Sequence, residues 1–360
     1  MDATGSAAPH AVPHPVFCTI VPPHVLDKLA RSDDPALSGP ARRTLEADSA
    51  RRTRRALTTT LGAPAASDAP TGRPARTIHD CGHRTALPGR KVRSEGDEPG
   101  TDATVNRAYI GLGATFELLL SAYGRDSLDG AGLPLVASVH YDREYGNAFW
   151  DGEQMVFGDG DGEIFLDFTL PVDVIAHELA HGLTQYTANL SYYGQPGALN
   201  ESVSDVFGSL VKQYTLDQTA TDADWLIGAG LLAPRVTGVA LRSMKEPGSA
   251  YDDDVLGKDP QPGSMDDYVR TGRDNGGVHI NSGIPNRAFC LLATQLGGKS
   301  WERAGQIWFD VLTGGDLEVD ADFTDFARLT VAAAGARYGD GTAEHEAVVK
   351  AWAEVGVPTA

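Results

Sequence analysis

The sequence predicts an α+β protein whose strands gather in its N-terminal part and whose C-terminal part is helical. Two patterns carry that prediction. From Leu133 to Leu170, short β-like runs such as Leu135-Val136-Ala137-Ser138-Val139 and Gln154-Met155-Val156-Phe157 are separated by Gly, Asp and Asn, the punctuation of strands joined by turns. From residue 171 onward, apolar residues recur at helical spacing instead, and strands followed by a run of helices describe α+β architecture. At 360 residues the chain exceeds one small core, so two domains and an appendage are expected.

The elements follow in order. Val16 to Leu26 is a short apolar island, and residues 33–76 after it are dominated by Ala, Arg, Asp, Pro, Ser and Thr. That composition reads as an exposed, protease-sensitive linker or a weakly folded segment, and an apolar island upstream of a cleavable linker makes residues 1–75 an expected prosegment that docks on the body. A helix is predicted over 103–123 from Ala108, Leu112, Phe116, Leu119, Leu120 and Tyr123. Gly158 to Gly162 is too short for an EF-hand and reads as a tight turn. Val172, Val174, Ile175, Ala176, Leu179, Ala180 and Leu183 make the next helix apolar almost all round, hence buried. Asn189, Gly194, Pro196 and Gly197 then permit a turn. A further amphipathic helix follows Glu201, through Val203, Val206, Phe207, Leu210, Val211 and Tyr214. Ile284 to Val355 continues with helical periodicity, and no internal repeat is present. The expected division is 1–75 prosegment and linker, 76–195 β-rich lobe, and 196–360 helical lobe.

Net charge is −19, and residues 1–75 hold nine Lys/Arg against seven Asp/Glu, so all the net acidity lies beyond them. An acidic body argues against nucleic-acid binding. The longest apolar stretch, Tyr109 to Tyr123, is interrupted by Glu117 and is too short to span a bilayer. Met1 to Pro22 lacks a basic start followed by an apolar run, so no secretory signal peptide is recognisable. Cys18, Cys81 and Cys290 are widely separated and fit neither a disulfide framework nor a structural zinc site.

The chemistry concentrates in His177-Glu178-Leu179-Ala180-His181. Residues four apart on a helix share a face, so His177 and His181 can point both imidazoles at one ion. Catalytic zinc takes three protein ligands and keeps one position open. Glu201, twenty residues on, is the natural third ligand if the chain turns back. Glu178 lies about 100° around the helix from His177, beside the metal, where a general base belongs. A solvated helix face is the alternative, but a buried helix carrying two His and a Glu needs partners for them.

Four blocks then extend the pattern: Asn147-Ala148-Phe149-Trp150-Asp151-Gly152, the HELAH stretch, Gly197-Ala198-Leu199-Asn200-Glu201-Ser202-Val203-Ser204-Asp205, and Asp274-Asn275-Gly276-Gly277-Val278-His279. Together they resemble the thermolysin-like neutral metalloproteases, from about residue 76 onward. The short N-terminal block with Cys18 and Pro22-Pro23-His24-Val25-Leu26 resembles the compact prosegment of the protealysin subgroup. The resemblance implies a two-lobed thermolysin-like zincin fold with the active-site helix at the lobe junction. It implies one catalytic zinc on His177, His181 and Glu201, with Glu178 activating the zinc water and passing the proton to the leaving amine. Asp205 is implied to orient His177, and His279 with Tyr192 to stabilise the oxyanion, Asp274 holding His279; Tyr193 beside Tyr192 leaves that register open. Asn147 and Ala148 are implied to pair with the substrate backbone. Arg242, Phe165, Phe168, Val174 and Leu241 are implied at the primed-side pocket, so cleavage before bulky apolar residues is expected.

One departure stands out. The positions matching the family's paired calcium site are Asp173, Lys212, Asp224, Leu226 and Ala229. Lysine there puts a cation where calcium would sit, so the double site is expected to be lost, with a single site in Asp252-Asp253-Asp254 left open. The expected protein is a zinc endopeptidase made as a zymogen, monomeric, acting on peptides and proteins, with its prosegment as intramolecular inhibitor or chaperone and neither nucleic-acid nor membrane partners. By resemblance it is secreted; the alternative is a cytoplasmic zymogen released by a non-classical route. An inactive binding module and an exopeptidase are the rival readings. For Cys18 two readings stand: a thiolate that approaches zinc in the zymogen, or a small buried anchor.

Overall fold

The computed structural model describes residues 18–57 and 71–359. A six-stranded mixed sheet forms the N-terminal lobe, built from β1 (Cys18–Thr19), β2 (Arg76–Arg84), β3 (Arg90–Ser94), β4 (Leu135–Tyr141), β5 (Ala148–Trp150) and β6 (Met155–Phe157). Its order is β1-β5-β6-β4-β2-β3. β4 runs parallel to both β2 and β6, while β5 is antiparallel to β6 and to β1. The strand brought by the N-terminal segment therefore covers the outer edge of β5, with Cys18 opposite Trp150 and Thr19 opposite Phe149.

The N-terminal segment continues as α1 (Pro23–Ala30) and α2 (Pro35–Leu57). The second helix corrects the linker expectation for residues 35–57; residues 58–70, like Val16 and Phe17, lie outside the described residues. Ala and Arg are strong helix formers, and beside the apolar Leu37 and Ala41 the docking contacts include polar ones, which hydrophobic periodicity cannot register. Thr44 Oγ1 accepts the Gly146 N–H at 3.0 Å, and the buried Asp48 accepts from the Tyr145 hydroxyl and from Asn147 Nδ2.

α3 spans Ala103–Tyr123, as the periodicity predicted. It starts where the Asp102 carboxylate caps the N–H groups of Thr104 and Val105 and stops at the left-handed Gly124. Asp161 Oδ1 accepts the N–H groups of Glu163, Ile164 and Phe165, so Gly158 to Gly162 is a turn closed by its own aspartate. α4 (Val172–Gln185) is buried along almost its whole length, lying between the sheet and α5 (Gly194–Thr215). α5 begins seven residues before Glu201 and takes in the stretch read as a turn; Pro196 is harmless there because first-turn N–H groups have no intrahelical partner. At Gly208 a Cβ would lie 2.7 Å from the Asp173 carbonyl, so glycine sets how closely α5 approaches α4.

Two small hairpins follow, β7 (Leu226–Ile227) with β8 (Arg242–Ser243) and β9 (Asp252–Asp253) with β10 (Gly257–Lys258). The rest is helical: α6 (Asp274–Asn281), α7 (Gly283–Leu296), α8 (Ala304–Thr313), α9 (Phe323–Tyr338) and α10 (Ala343–Glu354). Trp308 of α8 stacks on Trp352 of α10 with ring centroids 5.8 Å apart, and Phe289 and Phe326 meet Trp308 edge-on. The result is the expected β-rich N-terminal lobe and helical C-terminal lobe. No helix among the described residues is long and apolar enough to cross a membrane.

Candidate active site

α4 supplies His177, Glu178 and His181, and α5 supplies Asn200, Glu201, Ser204 and Asp205. All are buried. His177 Nδ1 donates to Asp205 Oδ1 at 2.8 Å. Asn200 donates its amide to the Leu190 carbonyl, which turns Oδ1 toward His181 Nδ1 at 2.8 Å; Ser204 Oγ lies 3.0 Å from the same nitrogen. With both Nδ1 atoms donating, both Nε2 atoms are bare acceptors. They lie 3.1 Å apart, and Glu201 is 3.6 Å from each, through Oε2 to His177 and Oε1 to His181. Burial holds His177 down to about 4 and His181 down to about 3, so both imidazoles are neutral, the state a metal requires.

This donor set fits zinc. Two imidazole lone pairs and a carboxylate converge without a proton between them, and the buried Glu201 Oε2 has no hydrogen-bond partner among the described residues. Glu178 lies beside the cluster. Its Oε2 accepts the Trp150 N–H at 3.0 Å, and its Oε1 has no hydrogen-bond partner within normal reach among the described residues. Burial, then the charge of Glu201, pushes its carboxyl well above the usual range, so this carboxyl holds a proton more firmly than an ordinary one.

Across the cleft, Asp274 to Gly277 run through left-handed backbone, which folds the Asp274 carboxylate back onto His279: Oδ2 accepts the backbone N–H at 2.9 Å and Oδ1 faces Nδ1 at 2.6 Å. At Gly276 a Cβ would meet the Gly194 nitrogen at 2.9 Å. Burial lowers His279, but the charges of Asp274 and Glu201 overcome it and hold the imidazole at about 9. The Tyr192 hydroxyl donates to Glu201 Oε1 and lies 3.4 Å from His279 Nε2, whereas Tyr193 is exposed.

The N-terminal segment threads between these groups as an extended peptide. Ile20 N–H donates to the Ala148 carbonyl at 3.2 Å and Val21 N–H to Asn147 Oδ1 at 2.9 Å. His279 Nε2 donates to the Thr19 carbonyl and Arg242 Nη1 to the Ile20 carbonyl, both at 2.9 Å. Arg242 also holds both oxygens of Asp205 at 2.8 Å through Nε and Nη2. Phe165, Phe168, Val174 and Leu241 are buried in the same apolar cluster as Ile20.

Family models describe what this arrangement belongs to. The thermolysin metallopeptidase catalytic domain matches residues 67–185, and the thermolysin metallopeptidase alpha-helical domain matches residues 188–357. The chain belongs to the thermolysin family of metallopeptidases. It is 55% identical to an extracellular metalloprotease of Pectobacterium carotovorum subsp. carotovorum over 80% of this chain and 82% of that one. It is 52% identical to Protease PrtS of a Photorhabdus species over 78% of this chain and 76% of the relative. The solved precursor of protealysin, a metalloproteinase from Serratia proteamaculans, superposes with a TM-score of 0.87 at 50% identity, covering 94% of this chain and 99% of that one. This thermolysin-family chain is therefore a zinc metalloendopeptidase made as a zymogen.

Several groups at this thermolysin-family site escaped sequence reasoning. Asn200 and Ser204 share the four-residue spacing of Glu201 and Asp205, a signal present in the sequence but given no role there. Asn286, which donates to Asp205 Oδ2 at 2.8 Å, and Asp48, which holds Asn147, come from distant segments and left no local signal. At the expected calcium position, Lys212 Nζ lies 2.9 and 2.8 Å from the Asp224 oxygens, 3.2 Å from the Leu226 carbonyl and 3.2 Å from Asp173 Oδ2. In the 252–254 run, Asp253 accepts the N–H groups of Thr237, Val255 and Leu256, so its oxygens are engaged by backbone.

Proposed function

We propose that the protein cleaves internal peptide bonds on the N-terminal side of bulky apolar residues. The single observation that carries this is the extended segment in the cleft: Ile20 is gripped through both backbone groups, by Ala148 and Arg242, with the Thr19 carbonyl on His279. A substrate strand lying the same way would pair with Asn147 and Ala148 by strand addition and put its primed-side residue among Phe165, Phe168, Val174 and Leu241.

His177, His181 and Glu201 would hold the zinc, which when bound polarises the scissile carbonyl and lowers the pKa of a water in its open position. Glu178 takes a proton from the attacking water and passes it to the leaving amine. His279 and Tyr192 donate to the oxyanion as it develops. Asp274 keeps His279 oriented and charged, and Asp205 fixes the ring of His177. Residues 1–75 act as prosegment, 76–195 and 196–360 as the two lobes flanking the cleft, and the Lys212 ammonium stands in for calcium. The extracellular relative supports secretion.

The test is casein hydrolysis with and without a zinc chelator, beside Glu178→Gln. The variant should retain stoichiometric zinc while activity falls by at least ~10²-fold, as loss of a general base predicts. An end-blocked peptide separates the exopeptidase reading: it should be cut internally, and if it stays whole while free-ended peptides are trimmed, the endopeptidase proposal is wrong.

A further inference from the structure

On the reading above, a substrate lies as the segment in the cleft does, and Thr19–Ile20 then occupies the place of the bond to be cut. Something must keep that bond intact, and the residue before it is Cys18. Cys18 is 1% exposed and held opposite Trp150 by strand pairing, and Trp150 is the residue whose N–H binds Glu178. The Cys18 sulfur, a ring nitrogen of His181 and a carboxylate oxygen of Glu201 all lie within 4.8 Å of one another. Glu201 Oε2 in the same cluster is buried and has no hydrogen-bond partner among the described residues.

We propose that in the precursor the Cys18 sulfur is the fourth zinc ligand, closing the metal site and protecting the Thr19–Ile20 bond from the enzyme's own chemistry. The inference rests on the zinc reading above. Three protein ligands leave a zinc site open for catalysis, and a fourth closes it as in structural sites. A soft thiolate also suits zinc better than water does. On binding, the thiol proton leaves to solvent and the sulfur takes the position water would hold. Glu178 then has no water to deprotonate next to the Thr19 carbonyl. A role for Cys18 as a small apolar anchor would need only its burial and not its convergence with His181 and Glu201.

The experiment uses the precursor carrying Glu178→Gln, which keeps the prosegment attached. Loaded with cobalt, it should show a near-ultraviolet sulfur-to-metal charge-transfer band, lost in the same precursor carrying Cys18→Ser while metal content is unchanged. Loaded with zinc, its X-ray absorption should show one sulfur at about 2.3 Å among nitrogen and oxygen ligands. That second measurement decides the matter if Cys18→Ser does not fold. Full metal content with an all-nitrogen-and-oxygen shell overturns the latch and leaves the zinc reading intact. Failure to bind metal at all overturns the zinc reading, and the latch with it.

Discussion

Two bare imidazole nitrogens 3.1 Å apart repel one another unless a cation lies between them, and this is the strongest single argument for metal at His177 and His181. The rings are held there by groups behind them. Asp205 receives His177, Arg242 and Asn286 on its two oxygens; burial would raise its carboxyl, but Arg242 and His177 hold it well below the usual range. Asp205→Asn replaces one acceptor oxygen with a donor that faces donors. Partners of this kind are worth 10–100-fold in metal affinity, so zinc affinity should fall by roughly 10–100-fold, measured by competition with a chromophoric chelator. Unchanged affinity would mean that the ring of His177 is positioned without Asp205. That His177 and His181 share a face was legible because a helix converts a spacing of four into one face, whereas Glu201 was read from its distance along the chain and Asp205 from the family resemblance. Asn286 and Asp48 were not legible, since nothing local in a sequence encodes a contact across 81 or 99 residues.

Elements were legible where burial is apolar and obscure where it is polar. α3 and α4 follow their apolar periodicity, and α4 is buried on every side as its composition demands. α2 was missed because its docking residues include Thr44 and Asp48, which look like linker composition. Asp48 gives this docking a pH dependence. Burial raises its carboxyl to about 6 from the ordinary 3.8, against the hydrogen bonds from Tyr145 and Asn147. A carboxyl whose docked pKa is raised stabilises docking fully below its free pKa and loses that contribution as pH climbs through the docked value. A shift of this size corresponds to about 2–3 kcal/mol. In the Glu178→Gln precursor, the stability advantage of Asp48→Asn over the parent should therefore widen from pH 4 to pH 7 and level off above. Thermal melts across that range read the gap directly; a gap that does not change with pH would show that Asp48 titrates alike in the docked and free states.

At the scale of the whole molecule, the question is how an acidic chain, with a net charge of −19, tolerates buried carboxylates away from its metal site. Asp173 is the sharpest case: it lies at the start of α4, 1% exposed, with Oδ1 on the Gly228 N–H and Oδ2 facing Lys212 as an ion pair, not an aligned hydrogen bond. Burial raises its carboxyl while Lys212 opposes that. The lysine reaches across from α5 and also binds Asp224 and the Leu226 carbonyl, so one ammonium ties the active-site helix, its neighbour and β7 together. Asp224 is largely in solvent, and its pair with Lys212 contributes little. The pair with Asp173 matters more, because removing one partner leaves an uncompensated buried charge. Lys212→Met should cost about 2–4 kcal/mol in denaturant unfolding, somewhat less than for a fully buried pair because the lysine keeps some contact with water. Asp173→Asn in the same chain should recover most of that loss, since the charge that needed the lysine is gone. If the double variant is as unstable as the sum of the single ones, Lys212 acts through packing of its stem, and the charge account of this site fails.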